Sequence, residues 1–176
     1  LIESLWLGFN KIVYLRNSQG AKYFAGFPIG FNIALGGKNP DGSDSANLLS
    51  FLCLKAQEHL GLPQPNLSVR LHGNSPEWFI DKSSQVIGGG SGMPQIFNDE
   101  CVIPALMSQG IAESDAYDYG VVGCVELSTQ GNSLGWSDAA MFNLVKALEL
   151  TLNNGVCLLS GRQMGLDLGN LADYPD

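Results

Sequence analysis

Positive charge is scarce in this chain: nine Lys and Arg face seventeen Asp and Glu, for a formal net charge of -8. With no basic stripe, such a surface repels phosphate backbones and speaks against nucleic acid as a partner. There is no run of about 18 apolar residues, which excludes a membrane-spanning helix. Leu1 to Arg16 carries Glu3 and Lys11 within its apolar pattern, unlike a secretory signal. Histidine is limited to His59 and His72, and the four cysteines (Cys53, Cys101, Cys124, Cys157) form no C-x-x-C pair and no zinc spacing with them. No resident metal is expected. Gly88 to Gly92 is not followed by the Lys-Ser/Thr of a phosphate loop and reads as a turn. Internal repeats and low-complexity segments are absent.

What is present suffices for one domain: 176 residues, 45% hydrophobic and only 15% charged, unlike a disordered segment. Leu1 is not an initiator Met, and Asp176 follows the loop-like run Gly169 to Pro175, so both ends read as cut points in a longer protein. Cys53 and Cys157 lie in apolar runs and read as buried small hydrophobes in a reducing cytoplasm.

Apolar spacing predicts a helix over 1–15, and Gly26 to Gly42 has loop chemistry. A second helix is capped by Asp44 or Ser45, runs to about His59 and stops at Gly61 and Pro63. Leu67 to His72 alternates as a strand, with His72 as a satisfied edge histidine. Further elements are a helix from Pro76 to Ile87 capped by Ser75, a short strand at Pro94 to Phe97, and a helix opened by Asp99, read as its cap. Ser114 to Tyr117 is a helical turn and Tyr119 to Val122 a buried strand. Ser137 or Asp138 caps a long helix ending at Gly155, and Val156 to Leu159 is a last strand. Trp6, Trp78 and Trp136 read as packing residues. This alternation predicts parallel α/β architecture.

Cys124 follows a strand at its carboxyl end, where sites gather in α/β proteins. Glu126, two residues on, points to the same side of an extended backbone, so thiol and carboxylate would share a cavity. A neighbouring carboxylate raises a thiol's pKa, the wrong setting for a thiolate nucleophile, and no His lies within fifty residues of Cys124. A buried Cys beside an exposed Glu is an equal reading of the same pair. Asp138 adds a second carboxylate, whose plain reading is a helix N-cap. Two acids in separate environments suit elimination chemistry.

Tyr119-Gly-Val-Val-Gly-Cys-Val-Glu126, Gly131 and Gly135-Trp-Ser-Asp-Ala-Ala-Met-Phe-Asn143 together resemble the cysteine loop of glycyl radical enzymes, the pyruvate formate-lyase-like family. The resemblance is nearest to the glycerol and diol dehydratase branch. Gly92-Met-Pro-Gln-Ile-Phe-Asn-Asp99, Pro65-Asn-Leu-Ser-Val-Arg-Leu-His72 and Gly36-Gly37 with Asp41-Gly42 and Asn47 follow in family order, so the likeness spans nearly the whole chain. It implies residues 1–176 as part of an α/β fold: a slice of a ten-stranded barrel, two five-stranded parallel half-barrels around a central cysteine finger loop. It also implies Cys124 as the thiyl radical site, Glu126 as base and Asp138 as a substrate contact. No cofactor would be bound by this segment; the glycyl radical would lie outside it, installed by an iron–sulfur (4Fe–4S) S-adenosylmethionine activating enzyme. The implied parent is a cytoplasmic, anaerobic lyase and homodimer acting on a small-molecule substrate.

Departures narrow this reading. Val122-Gly123 before a single Cys124 replaces the adjacent cysteines of pyruvate formate-lyase proper, which disfavours the alternative of formate acyltransfer to coenzyme A. Leu127-Ser128-Thr129 follows Glu126 where many dehydratase-like members carry Pro. No Arg-Val-x-Gly-type radical element occurs, since Ser160-Gly161-Arg162-Gln163 has the wrong order. The N-terminal part of the barrel and the radical-glycine domain are therefore expected elsewhere, and the isolated segment is expected to be inactive. A non-catalytic split subunit, needing a partner that carries the glycine, is the remaining alternative.

Overall fold

In the computed structural model, residues 1–11, 31–132, 142–167 and 169 are described. The chain divides into two units, Leu1–Ser137 and Asp138–Asp176.

The first unit is built on a parallel sheet. Helix α1 (Ile2–Lys11) precedes strand β1 (Asn32–Gly36), helix α2 (Leu48–Leu60), strand β2 (Asn66–Leu71), helix α3 (Glu77–Gly88) and strand β3 (Gln95–Asn98). The strands lie in the order β1-β2-β3, all parallel, with Asn32 opposite Asn66 and Ser68 opposite Gln95. Each parallel pair is joined by a helix, as parallel strands require. Helices α4 (Asp99–Ser108) and α5 (Glu113–Tyr117) lead to an antiparallel hairpin, β4 (Tyr119–Val122) and β5 (Glu126–Thr129).

The apolar cluster of Trp6, Leu35, Cys53, Leu54, Ala56, Leu67, Val69, Phe79 and Val86 joins α1, α2 and α3 to β1 and β2. Its polar groups are satisfied internally. Trp6 Nε1 donates to Gln57 Oε1 (2.9 Å), and Gln57 Nε2 donates to the Leu62 carbonyl (3.1 Å). A smaller cluster of Ile103, Ala116, Tyr119 and Val121 packs α4, α5 and β4 together.

Several expected boundaries move. Asn32–Gly36, inside the stretch read as loop, is a strand; its short Asn-Ile-Ala-Leu-Gly run gains its register from β2. The cap of α2 is Asn47, not Asp44 or Ser45. The Asn47 side chain accepts from the N–H groups of Leu49 and Ser50, while Ser50 Oγ accepts from Asn47 N–H. Asp44 instead lies 2.9 Å from Nε2 of the buried His72. Ser75 does not cap α3, because its hydroxyl donates to Asp44 Oδ2. Asn98, not Asp99, caps α4 by accepting from Glu100 N–H. Trp6 is buried and Trp78, though 41% exposed, packs against Phe51 and Phe79, as expected of packing residues.

In the second unit, helix α6 (Leu144–Leu152) starts after Asn143, whose side chain accepts from Lys146 N–H. This replaces the expected cap at Ser137 or Asp138; both residues, like Trp136, lie outside the described residues. Val156 to Leu159 is not a strand, only an isolated bridge between Val156 and Gln163 within turns. Cys157 is buried, as its apolar run suggested, with its sulfur 3.4 Å from Lys146 Nζ.

Gly36, at the end of β1, has φ +73°, and a Cβ there would stand 2.5 Å from the Phe79 ring and 2.8 Å from the Arg70 carbonyl. Gly36→Ala should therefore destabilise the protein by about 2–4 kcal/mol, combining left-handed strain with overpacking. Urea unfolding would check this, and an unchanged midpoint would mean the contact relaxes freely.

Candidate active site

Strand β2 carries two chemistries on one backbone. Leu67 and Val69 enter the helix-side core, and the alternate residues Asn66, Ser68 and Arg70 occupy the opposite face. All five are buried. The period-two pattern was legible in sequence, but its polar face is covered by the β4–β5 hairpin instead of by water.

Arg70 anchors that hairpin. Its Nε and Nη2 donate to Asp99 Oδ1 (3.0 Å) and Oδ2 (2.8 Å), Nη1 to the Tyr119 carbonyl and Nη2 to the Tyr117 carbonyl (both 2.9 Å). The guanidinium carbon also sits 3.8 Å from the centre of the Tyr119 ring. Asp99 is 1% exposed and accepts in addition from Tyr119 Oη–H (2.6 Å) and Lys38 N–H (2.7 Å). Burial and then the Asp99 carboxylate hold the Tyr119 phenol well above its ordinary range. Both charges are thus desolvated, with four of the five Arg70 N–H groups and both Asp99 oxygens hydrogen-bonded, the condition under which a buried pair is tolerated.

The hairpin ends in the turn Gly123-Cys124-Val125, with Val122 opposite Glu126. Gly123 takes the left-handed conformation (φ +59°) that reverses the chain, and a Cβ on it would meet Glu126 Oε2 at 3.1 Å. Cys124 is exposed at the tip. Glu126 folds back on the turn, where its Oε2 accepts from Cys124 N–H (3.0 Å) and Val125 N–H (2.9 Å). These backbone donors, Val125 first, hold its carboxyl below the usual carboxylate range. Its Oε1 makes no hydrogen bond among the described residues.

Glu126 therefore meets Cys124 at its backbone N–H, a different arrangement from the cavity shared by thiol and carboxylate that the sequence suggested. As expected, Cys124 follows the carboxyl end of the strand Tyr119–Val122, but β4 pairs antiparallel with β5, so Cys124 lies on a hairpin turn and Glu126 reaches it through the backbone. The tip is held at the amino ends of β1 and β2: Asn32 Nδ2 (3.1 Å) and Asn66 Nδ2 (2.8 Å) both donate to the Gly123 carbonyl. Asp138 lies outside the described residues. Sequence reasoning missed Asn32, Asn66 and Arg70. The signal for Arg70 was a cation within an apolar strand, which demands a buried partner. Asn32 was hidden because its segment read as loop. No helix among the described residues is long and apolar enough to cross a membrane, and no cluster of metal-ligating side chains occurs among them.

A family model described as pyruvate formate lyase-like matches residues 1–176. The (2S)-3-sulfopropanediol dehydratase of Klebsiella oxytoca is 39% identical over 162 residues, 92% of this chain and 19% of that protein. The isethionate sulfite-lyase of Oleidesulfovibrio alaskensis is 34% identical across 97% of this chain and 21% of its own length. Among solved structures, the glycerol-bound B12-independent glycerol dehydratase of Clostridium butyricum superposes with a TM-score of 0.83 at 39% identity, covering 98% of this chain and 22% of that one. The chain thus spans about a fifth of the length of these relatives.

The Arg70 network predicts that Arg70→Met, which strands the Asp99 carboxylate, lowers stability by about 3–5 kcal/mol. The double variant Arg70→Met/Asp99→Leu should recover part of that loss in denaturant unfolding; strictly additive losses would mean the two charges are not coupled.

Proposed function

Since the chain belongs to the pyruvate formate lyase-like family of glycyl radical enzymes, we propose that it is the cysteine-bearing part of a longer radical lyase that eliminates water, or a comparable leaving group, from a diol-type substrate. The observation that carries this reading is the tip of the β4–β5 hairpin. It exposes Cys124 and anchors Glu126 through Oε2, with Oε1 making no hydrogen bond among the described residues. In this reading the hairpin is the finger of a barrel, of which β1, β2 and β3 form a slice. The radical glycine and the remaining strands lie outside these residues.

An exposed thiol on a braced turn suits one-electron exchange with a group carried elsewhere in the protein. The glycyl radical, installed by an S-adenosylmethionine activating enzyme, supplies the oxidation that removes the thiol hydrogen atom. Cys124, as thiyl, takes a hydrogen atom from a hydroxyl-bearing carbon of the substrate. Glu126 Oε1 takes the proton of that hydroxyl as the carbonyl forms. The neighbouring C–O bond breaks, and the leaving hydroxide departs as water with the proton Glu126 gained. The product radical then recovers a hydrogen atom from Cys124, and the resulting thiyl takes one back from the glycine, so glycyl radical, thiol and carboxylate end as they began. Asp138, by its place in the Gly-Trp-x-Asp element, is assigned to hold the substrate hydroxyls. The diol substrate is supported by likeness to proteins named as sulfopropanediol and glycerol dehydratases.

The test uses the full-length protein that contains this chain, activated anaerobically and assayed with glycerol and 1,2-propanediol. Cys124→Ser should retain the glycyl EPR signal and lose turnover, whereas turnover by that variant would sink the proposal. Glu126→Gln should cost about 10²–10⁴-fold in kcat. Because a base works ionised and the backbone donors lower the Glu126 pKa, wild-type activity should persist as pH falls through the usual carboxylate range and decline only below it. A decline above that range would assign the proton transfer to another group.

A further inference from the structure

One peptide unit carries both groups of the proposed site. The carbonyl of Gly123 and the N–H of Cys124 lie at opposite edges of a single planar amide. Asn32 and Asn66, residues opposite each other at the starts of β1 and β2, donate to its oxygen from the sheet side. Glu126 Oε2 accepts from its N–H at the other edge. Two donors match the two lone pairs of a carbonyl oxygen, so that edge is saturated. The Asn66 amide is itself oriented: Gln64 Nε2 donates to Asn66 Oδ1 (3.2 Å), and the Gln64 carbonyl accepts from Asn10 Nδ2 (2.6 Å) on α1. Asn66 and Gln64 are both buried.

We infer that Asn32 and Asn66 are positioning residues for the reaction: by clamping the Gly123–Cys124 peptide they aim the Cys124 sulfur and, through the N–H at its other edge, fix Glu126. The inference rests on the radical lyase reading for its catalytic consequence, but the clamp is a property of this chain alone. Rotation of that peptide about its flanking bonds would swing the Cys124 side chain and break the hydrogen bond to Glu126 together, so the two groups move as one. Hydrogen-atom transfer needs the reacting atoms held within about 3–3.5 Å, and small misplacements are costly there. The arrangement also polarises the amide. Donors on the oxygen strengthen the N–H as a donor, in keeping with the Glu126 carboxylate resting on it.

Asn66→Leu and Asn32→Leu keep the branched side-chain skeleton, at a larger volume, and remove the donors, and Asn32, only half-buried, covers the case in which the buried Asn66 variant fails to fold. Each is made in the full-length protein and read three ways. Glycyl radical per protomer by EPR should match wild type. Turnover should show kcat lowered about 10–100-fold with KM within about twofold. Amide hydrogen exchange should accelerate in the segment holding Gly123 to Glu126 and stay unchanged in β2 and β3. Unchanged exchange and kcat in both variants would overturn the inference. So would radical yield and kcat falling in equal proportion with a lowered melting temperature, which marks a purely structural role. If wild type itself carries no radical and turns over nothing, the lyase reading fails. The exchange arm then decides alone whether the clamp holds the tip.

Discussion

Much of the first unit depends on one ion pair. Arg70 stands in the central strand of a parallel sheet, on the face away from α1, α2 and α3, with its guanidinium out of water. A charge so placed must be answered, and the answers come from three later parts of the chain: Asp99 at the start of α4, the Tyr117 carbonyl at the end of α5 and the Tyr119 carbonyl of β4. Satisfying one cation therefore draws α4, α5 and the hairpin onto the sheet. The Tyr119 hydroxyl, returning to the same carboxylate, closes the network into a ring of directional contacts that an apolar patch of equal area would lack.

Directionality matters because the hairpin is short. Four residues in each strand and a three-residue turn leave little surface to bury, and an isolated two-stranded ribbon is marginal in water. It is fixed at its base by Arg70 and at its tip by the asparagines. Between them, Tyr119 and Val121 supply its share of the smaller apolar cluster. The thiol can then be exposed while the backbone that bears it is not free to wander.

How much of this was readable follows from what kind of contact was involved. The alternation of Leu67 to His72, the Gly61 stop of α2 and the Pro76 start of α3 are local, and each element appears close to where the pattern put it. The likeness carried by Gly123-Cys124-Val125-Glu126 falls on the turn of the β4–β5 hairpin. The sequence could not say that β1 exists, because Asn-Ile-Ala-Leu-Gly is a strand only by pairing with β2, a non-local condition. Nor could it place the cap of α2, read at Asp44 or Ser45, on Asn47: all three are capable, and Asp44 lies against His72 instead. Asp99 illustrates the same limit: its helix-start position advertised a cap, while its role came from a residue twenty-nine positions earlier.

The parallel sheet has a consequence of its own. Only β2 is paired on both sides; among the described residues no further strand pairs with the outer margin of β1 or of β3. Everything that seats the hairpin tip is attached to β1 and β2 through side chains, not through those margins. The sheet is therefore extensible: strands could be added at either flank while Asn32, Asn66 and Arg70 keep their mutual spacing. A larger wall could be assembled, or varied between relatives, around a centre whose dimensions stay constant.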